Sequence, residues 1–79
     1  MPITVLFFGA TADIAGNRRV EIEIPPEATA SDIFEKFLTD YPRLRPHPLL
    51  FSVNQQYSTG TEALRDGDEI AIFTAVSGG

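Results

Sequence analysis

Leu64-Arg65-Asp66-Gly67-Asp68-Glu69-Ile70-Ala71-Ile72-Phe73, running on into Thr74-Ala75-Val76-Ser77-Gly78-Gly79, is the stretch that decides how the chain is read. Asp66-Gly67 is a turn signal, because glycine accepts positive φ and Asp bonds to nearby backbone. The apolar run Glu69–Thr74 reads as a core strand. The last residues of the chain are small and poor in side chains. Glycine lets backbone pass close to another surface, and Ala75 to Gly79, fully extended, would span about 17 Å at roughly 3.3–3.6 Å per residue. A tail launched directly from a core strand suits a terminus threaded into a partner's narrow channel. A frayed chain end without a role is the plain alternative. The chain thus divides into a packed domain at 1–73 and a flexible C-terminal Gly-Gly tail at 74–79.

Upstream, Ile3–Phe8 is β-branched and aromatic without a breaker, which predicts a central strand. Residues 9–17 read as a loop with one helical turn around Ala12–Ala15. In Arg18–Ile24, Val20, Ile22 and Ile24 alternate with Arg19, Glu21 and Glu23, the pattern of a half-buried strand forming a hairpin with the first. Pro25-Pro26 ends it. Thr29-Ala30-Ser31-Asp32 has the form of a capping box, and Ile33, Phe34, Phe37, Leu38 and Tyr41 follow at helical spacing until Pro42.

Pro42–Pro48 is a proline-rich connector whose Arg43, Arg45 and His47 make a small basic spot with no assigned role. Leu50–Asn54 predicts another strand, with a turn at Gln55-Gln56, an extended piece at Tyr57-Ser58 and a short helical turn at Thr61–Leu64. The order is strand, strand, helix, strand, short elements, strand. It implies an α+β fold of the β-grasp (ubiquitin-like) kind. Such a roll has a mixed sheet of four to five strands, one main helix across one face, and the last strand parallel to the first.

Composition narrows the function. Seventy-nine residues make one domain, which buries only about 60% of its unfolded surface and gains stability from a partner. Without cysteine there is no disulfide, thiolate metal site or cysteine nucleophile. Eleven acidic against six basic side chains, a net charge of −5, count against nucleic acid and anionic membranes and favour a basic partner surface. Apolar runs too short for a membrane span, and an N-terminus unlike a signal peptide, make the cytoplasm the expected location.

The block Val53-Asn54-Gln55-Gln56, the run Leu64–Phe73 and the ending Val76-Ser77-Gly78-Gly79 resemble the MoaD/ThiS sulfur carriers, in the branch that forms the small subunit of molybdopterin synthase. Val5-Leu6-Phe7-Phe8 and the helix start at Thr29 resemble it too, so the match spans essentially the whole chain. The resemblance implies that an ATP-using (with Mg), ubiquitin-activating-like enzyme adenylates the Gly79 carboxylate, which then becomes a thiocarboxylate. Inside the large synthase subunit its sulfur passes to a pyranopterin precursor to build the dithiolene of molybdopterin. By the same resemblance Gly79 is the covalent carrier and Gly78 allows close passage. Phe8 and Phe73 match apolar positions that contact the large subunit, and Tyr57 a third that is usually aliphatic. Thr74, Ala75, Val76 and Ser77 complete the partner-binding tail. Where the family commonly has proline before Val-(Ser/Thr)-Gly-Gly, this chain has Thr74-Ala75, which implies a looser arm. A heterotetramer with two copies of each subunit is the implied assembly.

The chemistry of the residues agrees. A terminal carboxyl, with a pKa of about 3.3–3.7, is an anion and a poor electrophile at neutral pH, so it needs activation, as in a phosphoanhydride with AMP. No Gly-rich phosphate loop followed by Lys occurs, so ATP is not expected to bind this chain, and no cofactor or metal site is expected in it. Activation has to come from a partner, and catalysis is not expected from this chain alone. Three other readings stand beside this one: a sulfur carrier for thiamine or amino-acid synthesis, a ubiquitin-like protein modifier, and a plain interaction module with an idle tail. Exposed Phe8 and Phe73 favour the molybdopterin branch; burial of both in the core counts against it.

Overall fold

The structure, a computed structural model, describes residues 1–74. Five strands form one mixed sheet in the order β2-β1-β5-β3-β4. They are β1 (Pro2–Phe7), β2 (Arg19–Glu23), β3 (Leu49–Val53), β4 (Gln56–Tyr57) and β5 (Glu69–Thr74). The expected β-grasp layout is present: β1 and β2 are antiparallel, with Ile3 opposite Ile22, and β5 lies parallel to β1, with Val5 opposite Ile70. β3 runs antiparallel to β5, with Phe51 opposite Ile72.

Strand side chains alternate between faces, and here one face carries the core. Ile3, Val5 and Phe7 of β1 and Ile70 and Ile72 of β5 are buried on it. Helix α2 (Ala30–Asp40) lies across that face and adds Ile33 and Phe37 to the same cluster. It starts where the capping box predicts. The Thr29 hydroxyl accepts from the Asp32 N–H (3.3 Å), and the Asp32 carboxylate accepts from the Thr29 N–H (2.9 Å). Tyr41 stacks on Phe37 and meets Phe7 edge-on, and Phe34 packs against Phe51.

Local departures from the sequence-based expectation have physical reasons. The loop-like stretch after β1 holds a full short helix, α1 (Ala10–Ala15), closed by Gly16 at positive φ. The connector holds a 3-10 turn, Pro42–Leu44, and its Leu44 is fully buried. The β3–β4 hairpin turns on Asn54 and Gln55, both at positive φ, one residue earlier than expected. Thr61–Leu64 is not a helical turn. Ala63 instead bridges Thr29, and the Leu64 N–H donates to the Ala28 carbonyl (2.8 Å), which seats Leu64 in the core from an extended segment. Thr74, placed with the tail on sequence grounds, belongs to β5 and pairs with Leu49. The rest of the expected tail lies outside the described residues.

Candidate functional site

The sheet's second face carries the predicted partner-binding side chains. Because Ile3, Val5 and Phe7 turn inward, Thr4 and Leu6 turn outward; because Ile70 and Ile72 turn inward, Ala71 and Phe73 turn outward. Register aligns Leu6 with Ala71, Ala71 with Ser52, Ser52 with Tyr57, and Phe73 with Leu50. An apolar band therefore crosses the outer face toward the end of β5 from which residues 75–79 continue.

Phe8 extends the band. Its N–H donates to the Ile72 carbonyl (3.1 Å), holding the chain in the ladder one step past β1, and Gly9 at φ 59° then turns into α1. Phe8 is 50% and Tyr57 74% exposed; these are the large hydrophobic side chains left in solvent among the described residues. Phe73 is half-buried against Tyr57, with ring centroids 6.1 Å apart. A notch of about 210 Å³ lies beside this pair, lined by Ser52, Gln55, Tyr57 and Phe73. On the other side of Phe8 is a recess of about 560 Å³ whose walls include Gly9, Asp13, Arg18 and Arg19. Of the nine predicted site residues, Phe8, Tyr57 and Phe73 are thus brought to one end of one face, while Thr74, opposite Leu49, falls on the core side of β5. Ala75, Val76, Ser77, Gly78 and Gly79 lie outside the described residues.

Thr11 supports this corner, and the sequence did not single it out. It is 0% exposed, and its hydroxyl faces two carbonyls, Phe8 (2.7 Å) and Ile72 (2.9 Å). A threonine in a Gly- and Ala-rich stretch looks like loop solvation; only the packing of α1 against β5 reveals its burial.

The opposite side of the fold is a polar brace. The Asn54 amide donates to the Asp68 carboxylate and its oxygen accepts from the Glu69 N–H, both at 3.0 Å, fastening the β3–β4 hairpin to the Asp66-Gly67 turn. The Gly60 and Glu62 carbonyls accept from Ser31 (2.9 Å) and Ala30 (3.1 Å), so the first N–H groups of α2 are satisfied within the fold. The Ser58 hydroxyl donates to the Glu62 carboxylate and, helped by main-chain N–H groups, holds it below its ordinary 4.5 despite some opposing desolvation. These partners give Glu62 a structural role. Among the described residues no group of three His, Asp or Glu side chains stands close enough to hold a metal ion, and no helix is long and apolar enough to cross a membrane.

Against known proteins, the ThiS family profile matches residues 5–79. A molybdopterin synthase sulfur carrier subunit of Chlamydomonas reinhardtii is 34% identical, with all of both chains covered. The Homo sapiens protein of the same name is also 34% identical, over 98% of this chain and 93% of its own. Among solved structures, SAMP1 of Haloferax volcanii, a small archaeal modifier protein, superposes with a TM-score of 0.85 at 27% identity, covering both chains completely.

Proposed function

The chain belongs to the ThiS family, and from that premise we propose that it is the sulfur carrier subunit of a molybdopterin synthase, with Gly79 as the covalent carrier. The full-length likeness to sulfur carrier subunits supports this most directly. The apolar outer face, with Phe8 and Tyr57 exposed beside the end of β5, is the structural feature that suits a large subunit as its cover.

An activating enzyme joins the Gly79 carboxylate to AMP at the expense of ATP, giving the carbonyl a good leaving group. A sulfur nucleophile displaces AMP and leaves a thiocarboxylate. The outer face then docks on the large subunit, Phe8, Phe73 and Tyr57 entering its apolar surface, while Thr74–Ser77 guide Gly78 and Gly79 into the active site. There the sulfur passes to a pyranopterin precursor. Burying aromatic side chains at the centre of such a contact is the usual source of most of its binding energy. The assembly holds two copies of each subunit and works in the cytoplasm. This chain supplies the sulfur and completes the enzyme; ATP is handled by the partner.

Intact mass of the chain purified from cells co-expressing its activating enzyme tests the proposal. A gain matching replacement of one oxygen by sulfur, lost on deletion of Gly79, is expected. An unmodified chain under ATP- and sulfur-replete conditions would sink it. Light scattering of the co-purified complex tests the two-by-two stoichiometry. The likeness to SAMP1 favours one second reading, conjugation to proteins; it requires ladders on denaturing gels that vanish without Gly79.

A further inference from the structure

The net charge of −5 is not spread evenly over the fold. Four of the five arginines stand at the end of the sheet that carries Phe8. Arg18 lies beside Phe7, whose N–H donates to the Arg18 carbonyl (2.9 Å), and Arg19 is opposite Leu6. Arg43 and Arg45 sit in the connector between Tyr41, whose ring meets Phe7, and Leu49, which pairs with Thr74. All four are exposed. Asp13 and Asp40 stand with them, and Asp40 is held by Lys36 (3.1 Å).

Acidic side chains gather at the opposite end. Glu23 is opposite Pro2 and Glu21 opposite Thr4. Asp66 and Asp68 belong to the turn whose Gly67 N–H donates to the Pro2 carbonyl (2.8 Å). Glu27 follows Ile24, which is bonded to Met1 (3.0 Å). From Pro2 to Phe8 the extended chain covers roughly 20 Å at about 3.3 Å per residue. That is more than twice the Debye length of about 8 Å at physiological ionic strength. A surface approaching the Phe8 end therefore meets the local positive excess and not the total charge.

The recess of about 560 Å³ beside Phe8 joins this charge to the apolar band. Leu6, Phe8 and Ala12 give it apolar walls, and Arg18 and Arg19 line it with Asp13. Arg19 shares an exposed ion pair with Glu21 (3.2 Å), a contact worth little in water. Arg18 makes no ion pair among the described residues. A planar guanidinium holds a carboxylate through two parallel bonds. An apolar band alone fixes no direction of docking, because hydrophobic burial is non-directional; segregated charge supplies one.

We propose that the Phe8 recess is the charge-selective part of the docking surface, in which Arg18 and Arg19 receive a carboxylate side chain of the large subunit. The acidic end is repelled from the same surface, so the band docks in one orientation. The identity of the partner rests on the carrier reading; the segregation of charge stands on the fold alone.

The experiment measures binding of full-length variants to the purified large subunit by stopped-flow and calorimetry. Arg18→Glu and Arg65→Glu change the net charge equally, but Arg65 lies in the turn at the acidic end, its N–H bonded to Asp68 (2.8 Å). Arg18→Glu is expected to raise Kd by about tenfold or more at about 50 mM salt, chiefly through a slower kon, and by less at about 500 mM. Arg19→Glu acts in the same direction. Arg65→Glu stays within about twofold of wild type, being beyond the screening distance. Arg18→Lys keeps kon but raises koff, because the charge remains and the two-pronged bond is lost. It also decides the matter should Arg18→Glu lower the melting temperature.

Equal effects of Arg18→Glu and Arg65→Glu overturn the proposal, since net charge and not the recess would then govern association. So does tighter binding of Arg18→Glu, the sign of a basic surface facing this end. A defect confined to sulfur acquisition with the activating enzyme overturns it as well, by assigning the recess to the other partner. If wild type itself fails to bind the large subunit, the carrier reading fails; wild-type binding indifferent to Arg18 sinks the recess alone.

Discussion

Phe7 and Phe8 are adjacent residues of one type, yet Phe7 is 2% exposed and Phe8 50%. Phe7 lies on the core face of β1, edge-on to Phe37 at 5.6 Å and to Tyr41 at 6.0 Å. Phe8 stands on the outer face with its backbone held by Ile72 and Thr11. The same contrast recurs across the sheet, where Ile72 is fully buried and Phe73 is half-covered by Tyr57. One face keeps the domain folded; the other keeps apolar area in reserve for a partner. The backbone separates the two tasks by a single residue, so stability and binding should be separable by mutation.

Replacing the two phenylalanines is the strongest way to break that contrast. Phe7→Ala should cost about 3–5 kcal/mol of stability, as for other buried Phe truncations, a large share of what a small domain possesses. Denaturant melts followed by circular dichroism measure it. Phe8→Ala should leave the melt nearly unchanged but weaken binding to the large subunit by about 2 kcal/mol or more, the range of an interface hot spot, as read by calorimetry. Equal losses of stability in the two variants would erase the distinction between the faces.

Thr11→Val tests the joint between them. The change removes the hydroxyl shared by the Phe8 and Ile72 carbonyls, each of which keeps a main-chain donor, and should cost about 0.5–1.5 kcal/mol, the net range for a lost hydrogen bond. Because it loosens the corner that holds Phe8, it should also weaken partner binding, unlike Thr29→Ala. The latter removes the α2 cap and should cost about 1 kcal/mol of stability alone.

The smallest effect is that of pH on the brace. The Glu62 carboxyl is held below 4.5 in the folded chain, first by the Ser58 hydroxyl. Its ionised form therefore stabilises the fold. That contribution is complete above about pH 4.5 and is lost as pH falls through the lowered folded value. Glu62→Gln should flatten the stability profile in this acidic window, with partner affinity at neutral pH unaltered.

Several features were legible in the chain because they are fixed by neighbours in sequence. The capping box at Thr29 and Asp32 placed the start of α2, alternation in residues 18–24 placed β2, and Asp66-Gly67 placed the turn into β5. Hydrogen bonds spanning three residues and a period of two need no tertiary knowledge. Thr61–Leu64 misled because Leu64 needed only to be buried, and an extended segment bonded to Ala28 does that as well as a helical turn.

The sequence by itself determined the element order, the β-grasp layout and the likeness of the ending to sulfur carriers. Tertiary structure alone decided which face each aromatic occupies. In Leu6-Phe7-Phe8 the apolar residues are consecutive, so alternation carries no sign until α2 chooses a side. Structure alone also revealed that Thr11 is buried and that Leu44 leaves a proline-rich connector to fill the interior. Each of these depends on contacts or register between segments distant in the chain, and local preference holds no record of them.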